Sequence, residues 1–391
     1  MITVEKAKEI MMDAISPLPI KEITLREAPG HFAATDLYSD HDHPLFHNSA
    51  VDGYAFALTK DLQEWKVVGD IAAGETWKVR LDKGECVRIF TGAMLPAGAD
   101  TVVMQEYVTH VADRIQHNDN GLAVGKNVRL KGEQIKAGDL VLRKGAAITA
   151  AAAGLLASVG IRKLKVHEWP YVSIIITGGE FLGNSSEPGK IFNSNDVMLE
   201  SILQSAGIRP MILRSNDDAN ELDRTLRQAL AKSDVVITTG GVSVGEHDLV
   251  RSVLEATGAD ILFHKVSQKP GKPLLFGKSL QKLIFGLPGN PRAVLVLFWE
   301  YVLPAIRALM GAAEPGPKKE FLKITSDVPL KGDRSEFRAA KVHGGDVELL
   351  RDEGSHMLTS LIDANALVYF PMRSERIKAG SSVEVHPIQL R

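Results

Sequence analysis

Two lysines, Lys269 and Lys272, bracket a Pro-Gly turn in the run QKPGKP. The turn holds two ammonium groups on one rigid loop. That suits an anion, although two lysines usually mean a solvated surface pair. A second anion signal lies upstream, in DVVITTGGVSVGEHD from Asp234 to Asp248. Val235-Val236-Ile237 reads as a buried central strand. Thr238-Thr239-Gly240-Gly241 break it, and Gly245-Glu246-His247-Asp248 open a helix, EHDLVRSVLEATG. A strand that turns through glycines into a helix N-terminus aims free N–H groups and a positive dipole end at one spot, which favours phosphate. The spacing is neither GxGxxG nor GxxxxGK[ST], so no dinucleotide or nucleoside-triphosphate site follows from it. A tight turn that needs glycine for its backbone is the plain alternative, and Asp248 is equally suited to capping the helix. A third loop, GLPGNP, carries Gly286, Pro288, Gly289 and Asn290, with Pro291 fitted to a first helical turn. Asn290 is either a donor to a ligand or an N-cap.

Further candidates lie nearer the start. Asp52 precedes Gly53 and reads as an Asx-turn or as a functional acid. Thr91 and Gly92 read as turn residues or oxyanion contacts. His41, His43 and His47 form H-x-H-x3-H; three such side chains could hold a transition metal, but solvated loop histidines are the default.

These residues need elements to position them. After Trp169 the chain alternates YVSIIIT, a helix NSNDVMLESILQSAG, IRPMILR, a helix DDANELDRTLRQALAK and DVVITT. Strands alternating with helices of this size predict a parallel, doubly wound sheet, which binds ligands beyond the C-terminal strand ends. TGGE, TTGGVSVGEHD and GLPGNP all fall there. DILFHKV, PLLFG and KLIFGLP supply further strands, and PRAVLVLFWEYVLPAIRALMG a long buried helix. Thr3 is a plausible N-cap for a first helix with Ala7, Ile10, Met11 and Ala14 at helical spacing. Short runs between glycines from Trp65 to Val108 predict a small β-rich domain, and Thr149 to Val159 an alanine-rich helix. The linker AAEPGPKKE precedes a last, β-rich part.

The whole chain bounds the reading. Its 391 residues allow two to four domains. Lysine plus arginine number 46 and aspartate plus glutamate 48, a net charge of −2, so no global field draws nucleic acid or membrane. Cys86 is the one cysteine, which excludes an internal disulfide and favours a reducing compartment. The start MITVEKAKEI lacks a basic n-region and an apolar h-region, so no signal peptide is expected. The greasiest run, AVLVLFWEYVLPAI, is too short to span a bilayer. A cytoplasmic protein is the expectation.

Taken in order, NSAVDGYAF, TGAMLPAGADTVVMQE, TTGGVSVGEHD, KPGKP and GLPGNP closely resemble the molybdopterin molybdenumtransferases, relatives of the gephyrin E domain. They span Asn48 to Pro291, and Ser355-His356 extends the match. The resemblance implies a multidomain α/β fold. Its parts are a discontinuous elongated domain (1-38 and 126-166), a β-rich lid (39-125), a doubly wound pterin-binding domain (167-312) and a C-terminal β-barrel (318-391). It also implies a homodimer, with each site between the α/β domain of one subunit and the lid of the other. Contacts with molybdopterin adenylyltransferase and molybdoenzyme-maturation proteins are implied too.

The implied reaction takes adenylylated molybdopterin and molybdate, releases AMP and uses Mg2+. Hard carboxylates suit that ion, and backbone N–H groups and lysines suit phosphate and oxyanion. On this resemblance Asp52, Thr91, Glu180, Asp217, Asp248, Lys269 and Lys272 are catalytic, with Asp248, Asp217 and Glu180 around the metal. Gly240, Gly241, Ser243, Gly245, Pro288, Gly289, Asn290, Arg338 and Ser355 would bind the pterin nucleotide, with Arg334 and His356 nearby. Asp217 would otherwise be an N-cap. The sequence departs from the family where STGDEL becomes Thr177-Gly178-Gly179-Glu180-Phe181 and where GEDI becomes Gly132-Glu133-Gln134-Ile135. Those changes motivate a second expectation, a pterin-binding or scaffolding homologue with weakened catalysis. A third is a molybdopterin adenylyltransferase, which shares the α/β domain but reads closer to TTGGTG.

Overall fold

The structure is a computed structural model, and it describes residues 1–178, 192–240, 249–330, 332–351, 354, 356–372 and 376–388. Thr3 caps the first helix, Val4–Asp13: its Oγ1 accepts the Lys6 N–H at 3.2 Å, and Val4, Ala7 and Met11 are buried. The chain then runs out and returns. Ile20–Thr24 pairs antiparallel with Lys163–His167, Leu37–Tyr38 with Leu140–Leu142, and Asn48–Ser49 with Val128–Arg129. Each pairing joins a segment before the lid sheet to one after it. The alanine-rich helix is Ala150–Ser158, capped by Thr149 and ended at Gly160, which has φ +85°.

Between those flanks lies a six-stranded sheet, in the order Thr101–Met104, Gly53–Phe56, Glu85–Ile89, Trp65–Ile71, Arg114–His117, Val108–Val111. Both of its faces are covered: Ala55, Val87, Ile89 and Val102 pack on one side, Phe56, Trp65, Cys86 and Ile115 on the other. Burial pushes the Cys86 thiol up to about 12, which keeps it protonated and unreactive.

The second large sheet runs Met211–Ser215, Val172–Thr177, Val235–Thr239, Lys282–Leu287, Pro273–Ser279, Asp260–Lys265. Alternation along its strands divides the core. Ile174 and Ile176 face the helix Asn195–Ser205 and the long helix; Ile175, Val236 and Ile284 face Ala219–Lys232 and Leu249–Ala256. The first four strands are parallel, and the last two join antiparallel. The sheet is therefore mixed, where alternation predicted a parallel one. Only Leu280 and Gln281 separate Ser279 from Lys282, and a link that short closes a hairpin but not a crossover.

The long helix is α-helical over Pro291–Leu297 and Leu303–Leu309, with a π turn at Phe298–Val302 between them. Pro304 explains the widening, because it has no N–H to offer the Glu300 carbonyl four residues back. After it, Ser335–His343, Asp346–Leu349, Glu320–Ile324, Ser382–Pro387 and Ala366–Phe370 pair in that order. The last then pairs back to the first, so the barrel closes. A short strand of the α/β part, Gln268–Lys269, pairs in parallel with Ser335–Glu336 of the barrel. Among the described residues, no helix is long and apolar enough to cross a membrane.

Candidate functional site: a cationic cavity between two domains

The splice between Gln268–Lys269 and the barrel forms one wall of a cavity of about 410 Å³. The α/β part contributes the QKPGKP loop and Pro288, Asn290 and Arg292; the barrel contributes Arg334, Glu336, Phe337, Arg338 and Gly354. Five cationic side chains (Lys269, Lys272, Arg292, Arg334 and Arg338) face a single carboxylate, Glu336, among the described lining residues. Such a concave, net-positive surface concentrates anions although the chain as a whole is nearly neutral.

Each cation is held differently. Lys269 is exposed and Lys272 half-buried. Arg338 is fixed by Glu336, with Nε at 2.9 Å and an Nη at 2.7 Å from the same carboxylate oxygen, and its guanidinium lies 5.7 Å from the centre of the Phe370 ring. Arg292 is only 2% exposed and donates from Nη1 to Ser360 Oγ at 2.6 Å. The sequence reading passed over Arg292. A signal existed: an arginine in the first turn of an apolar helix opposes the helix dipole and asks for a compensating partner. Asn290 occupies the N-cap position of Pro291–Leu297, yet its side chain makes no capping hydrogen bond. Its amide thus faces the cavity without the duty that was the alternative reading.

Above the sheet, the described part of the strand-end crest is tied together by another residue the sequence reading missed. Asn195 is 4% exposed and donates from Nδ2 to Thr239 Oγ1 at 2.9 Å and to Gly289 O at 2.8 Å. It therefore links the TTGG turn to GLPGNP. Gly240 adopts φ +86°, and a Cβ there would lie 2.5 Å from Thr177 O, so glycine is required on two counts. Pro288 is buried in this crest and Gly289 exposed.

Asp52 and Thr91 lie together on the lid. Asp52 Oδ1 accepts the Thr91 N–H at 2.8 Å and its hydroxyl at 2.7 Å. Those two bonds hold the exposed carboxyl below its ordinary range. Gly53 has its own reason, since a Cβ would sit 1.8 Å from Val103 O across the sheet. The bond to Thr91, 39 residues away, takes the place of an Asx-turn. Neither residue lines the cationic cavity. Gly92 instead lines a second hollow, of about 500 Å³, with His43, Arg129 and Gln134.

Asp217 is exposed beyond the strand Met211–Ser215, and the N-cap of the next helix is its neighbour Asp218, which accepts the Glu221 N–H at 2.8 Å. Glu180, Gly241, Ser243, Gly245, Asp248 and Ser355 lie outside the described residues, as does Gly179. Among the described residues no three His, Cys, Asp or Glu gather as a metal set, so His41, His43 and His47 make none.

Comparison with known proteins adds identity to this geometry. The family described as MoeA N-terminal region (domain I and II) matches residues 2–160, the probable molybdopterin binding domain 173–308, and the MoeA C-terminal region (domain IV) 322–388. A molybdopterin molybdenumtransferase of Haemophilus influenzae is 33% identical over 400 residues, covering 99% of this chain and 98% of that one. The chain belongs to the molybdopterin molybdenumtransferase family. A Staphylococcus epidermidis member is 35% identical over 397 residues, covering 97% of this chain and 94% of its own. The molybdopterin biosynthesis moeA protein of Pyrococcus horikoshii OT3 superposes with a TM-score of 0.83 at 30% identity, covering 99% of this chain and 100% of that one. This family member thus combines the lid, α/β and barrel regions in one chain.

Proposed function

We propose that this family member inserts molybdenum from molybdate into adenylylated molybdopterin and releases AMP, with the cationic cavity as the anion-binding half of its site. One observation carries the reading: five cations against one carboxylate in a cavity beside the crest. Lys269, Lys272, Arg292 and Arg338 would hold phosphate and oxyanion charge, and Asn290 would donate to the pterin nucleotide. Cleaving a phosphoanhydride needs positioning and charge neutralisation more than covalent help from the protein. The exposed Asp217 carboxylate at the strand-end crest is a hard donor that fits Mg2+. With Glu180 and Asp248 it would hold the ion, which when bound neutralises charge on the phosphate oxygens. The lid hollow and the Asp52–Thr91 pair lie apart from the cavity, and that favours a homodimer in which the lid of one subunit completes the site of the other.

AMP release by the purified protein, assayed with molybdate and tungstate in parallel and with or without Mg2+, tests the reading. AMP no higher than in a protein-free control would overturn it. The weakened-catalysis reading rests on Gly179 and on Gln134, a neutral amide on the wall of the lid hollow. Tight pterin binding without turnover, partly restored by Gln134→Asp, would favour it. The adenylyltransferase reading leaves the lid and barrel regions without a role.

A further inference from the structure

The loop that carries Lys269 and Lys272 is fastened from beneath by two buried polar side chains that the proposed chemistry leaves unused. Gln268 and Tyr301 are both 0% exposed. Gln268 turns back under its own loop and donates from Nε2 to Pro270 O at 2.9 Å. Its Oε1 accepts the Tyr301 hydroxyl at 2.5 Å. Tyr301 projects from the π turn Phe298–Val302, and burial pushes its phenol well above the ordinary range, so the hydroxyl remains a donor. The loop is also tied at its ends: Ser335 N–H donates to Ser267 O at 3.0 Å, and Val266 N–H to Lys272 O at 3.0 Å.

We propose that Tyr301 and Gln268 are positioning residues. The chain from the Tyr301 hydroxyl through the Gln268 amide to the Pro270 carbonyl sets where the two lysines present their charge to a common anion. The inference rests on the proposed function for what that anion is. Lysine stems are long and flexible, so the backbone at their roots is what confines the ammonium groups. A displacement of about 1 Å passed on from a distant substitution costs up to a hundredfold, and where it falls on groups that bind substrate the cost appears in KM. A buried pair that served folding alone could be replaced by apolar side chains at little cost. This pair instead spends one end of an amide on the carbonyl of Pro270, next to Lys269, and the other end on the Tyr301 hydroxyl.

Tyr301→Phe keeps the ring and removes the hydroxyl. The double variant Tyr301→Phe/Gln268→Met removes both side-chain partners, so Gln268 Oε1 is not left stranded without its donor. The first measurement, amide hydrogen exchange of the full chain, needs no substrate. Exchange across 267–273 should quicken roughly tenfold in both variants while 172–177 is unchanged. The second is AMP-release kinetics. KM for molybdate should rise roughly tenfold with kcat within about twofold, and adding Tyr301→Phe to Lys272→Ala should cost less than about twofold more. Unchanged exchange, or a loss that multiplies fully with that of Lys272→Ala, would overturn the proposal. A wild-type protein that releases no AMP would overturn the proposed function instead, and faster loop exchange would still support the fastening.

Discussion

An ammonium on a four-carbon stem, a buried guanidinium and a backbone turn would each meet an anion at a different entropic cost, and the candidate site offers all three. Lys269 and Lys272 supply charge on long stems rooted in a fastened loop, whereas Arg338 and Arg292 are held by Glu336 and Ser360. The crest depends on Gly240, whose φ of +86° and approach to Thr177 O leave no room for a side chain. Gly240→Ala should destabilise the protein by about 2 kcal/mol through backbone strain and overlap, read as a lower thermal midpoint, and should lower AMP release further than the stability loss explains. The lysines and Asn290, which line the cavity, were legible in the sequence because each sits in a short motif with its own chemistry. Arg292 and Asn195 were not, because their partners lie 68 and 44 residues away.

At the scale of elements, the π turn in the long helix does two jobs. It sends Tyr301 toward the lysine loop and Glu300 into a buried array with Lys8 at 2.6 Å and His386 at 2.8 Å. That array joins the first helix, the α/β part and the barrel. Burial by itself would raise the Glu300 carboxyl, but Lys8 and His386 outweigh it and the net shift is downward. The folded state therefore favours ionised Glu300. Its contribution is complete above the ordinary value of 4.5 and is lost as pH falls through the lower folded value. Glu300→Gln should cost about 3 kcal/mol at neutral pH, since it strands buried partners. It should also lose less stability than the wild type on acidification below pH 4.5, in denaturant unfolding at pH 7, 5 and 4. Hydrophobic pattern foretold a helix over this stretch, and Pro304, which has no N–H for the Glu300 carbonyl, opens the turn that carries Glu300 and Tyr301 into the core.

For the whole molecule, the Asp52–Thr91 pair and the cationic cavity stand apart in one chain, and a site shared across a two-fold axis would bring them together. If the lid of one subunit completes the site of the other, co-refolded Asp52→Ala and Lys272→Ala proteins should recover roughly a quarter of wild-type AMP release, because half of such dimers would be hybrids with one intact site each. No recovery from a verified hybrid would exclude a shared site. By itself the sequence determined the element types, the strand-end crest and the family, because periodicity, glycine punctuation and ordered motifs are local properties of a chain. Only the tertiary structure decided that the barrel accepts Gln268–Lys269 as an extra strand, and that Arg292, Arg334 and Arg338 join the two lysines around one cavity. Charge becomes a binding site only when folding gathers it from distant segments, and no local pattern records that distance.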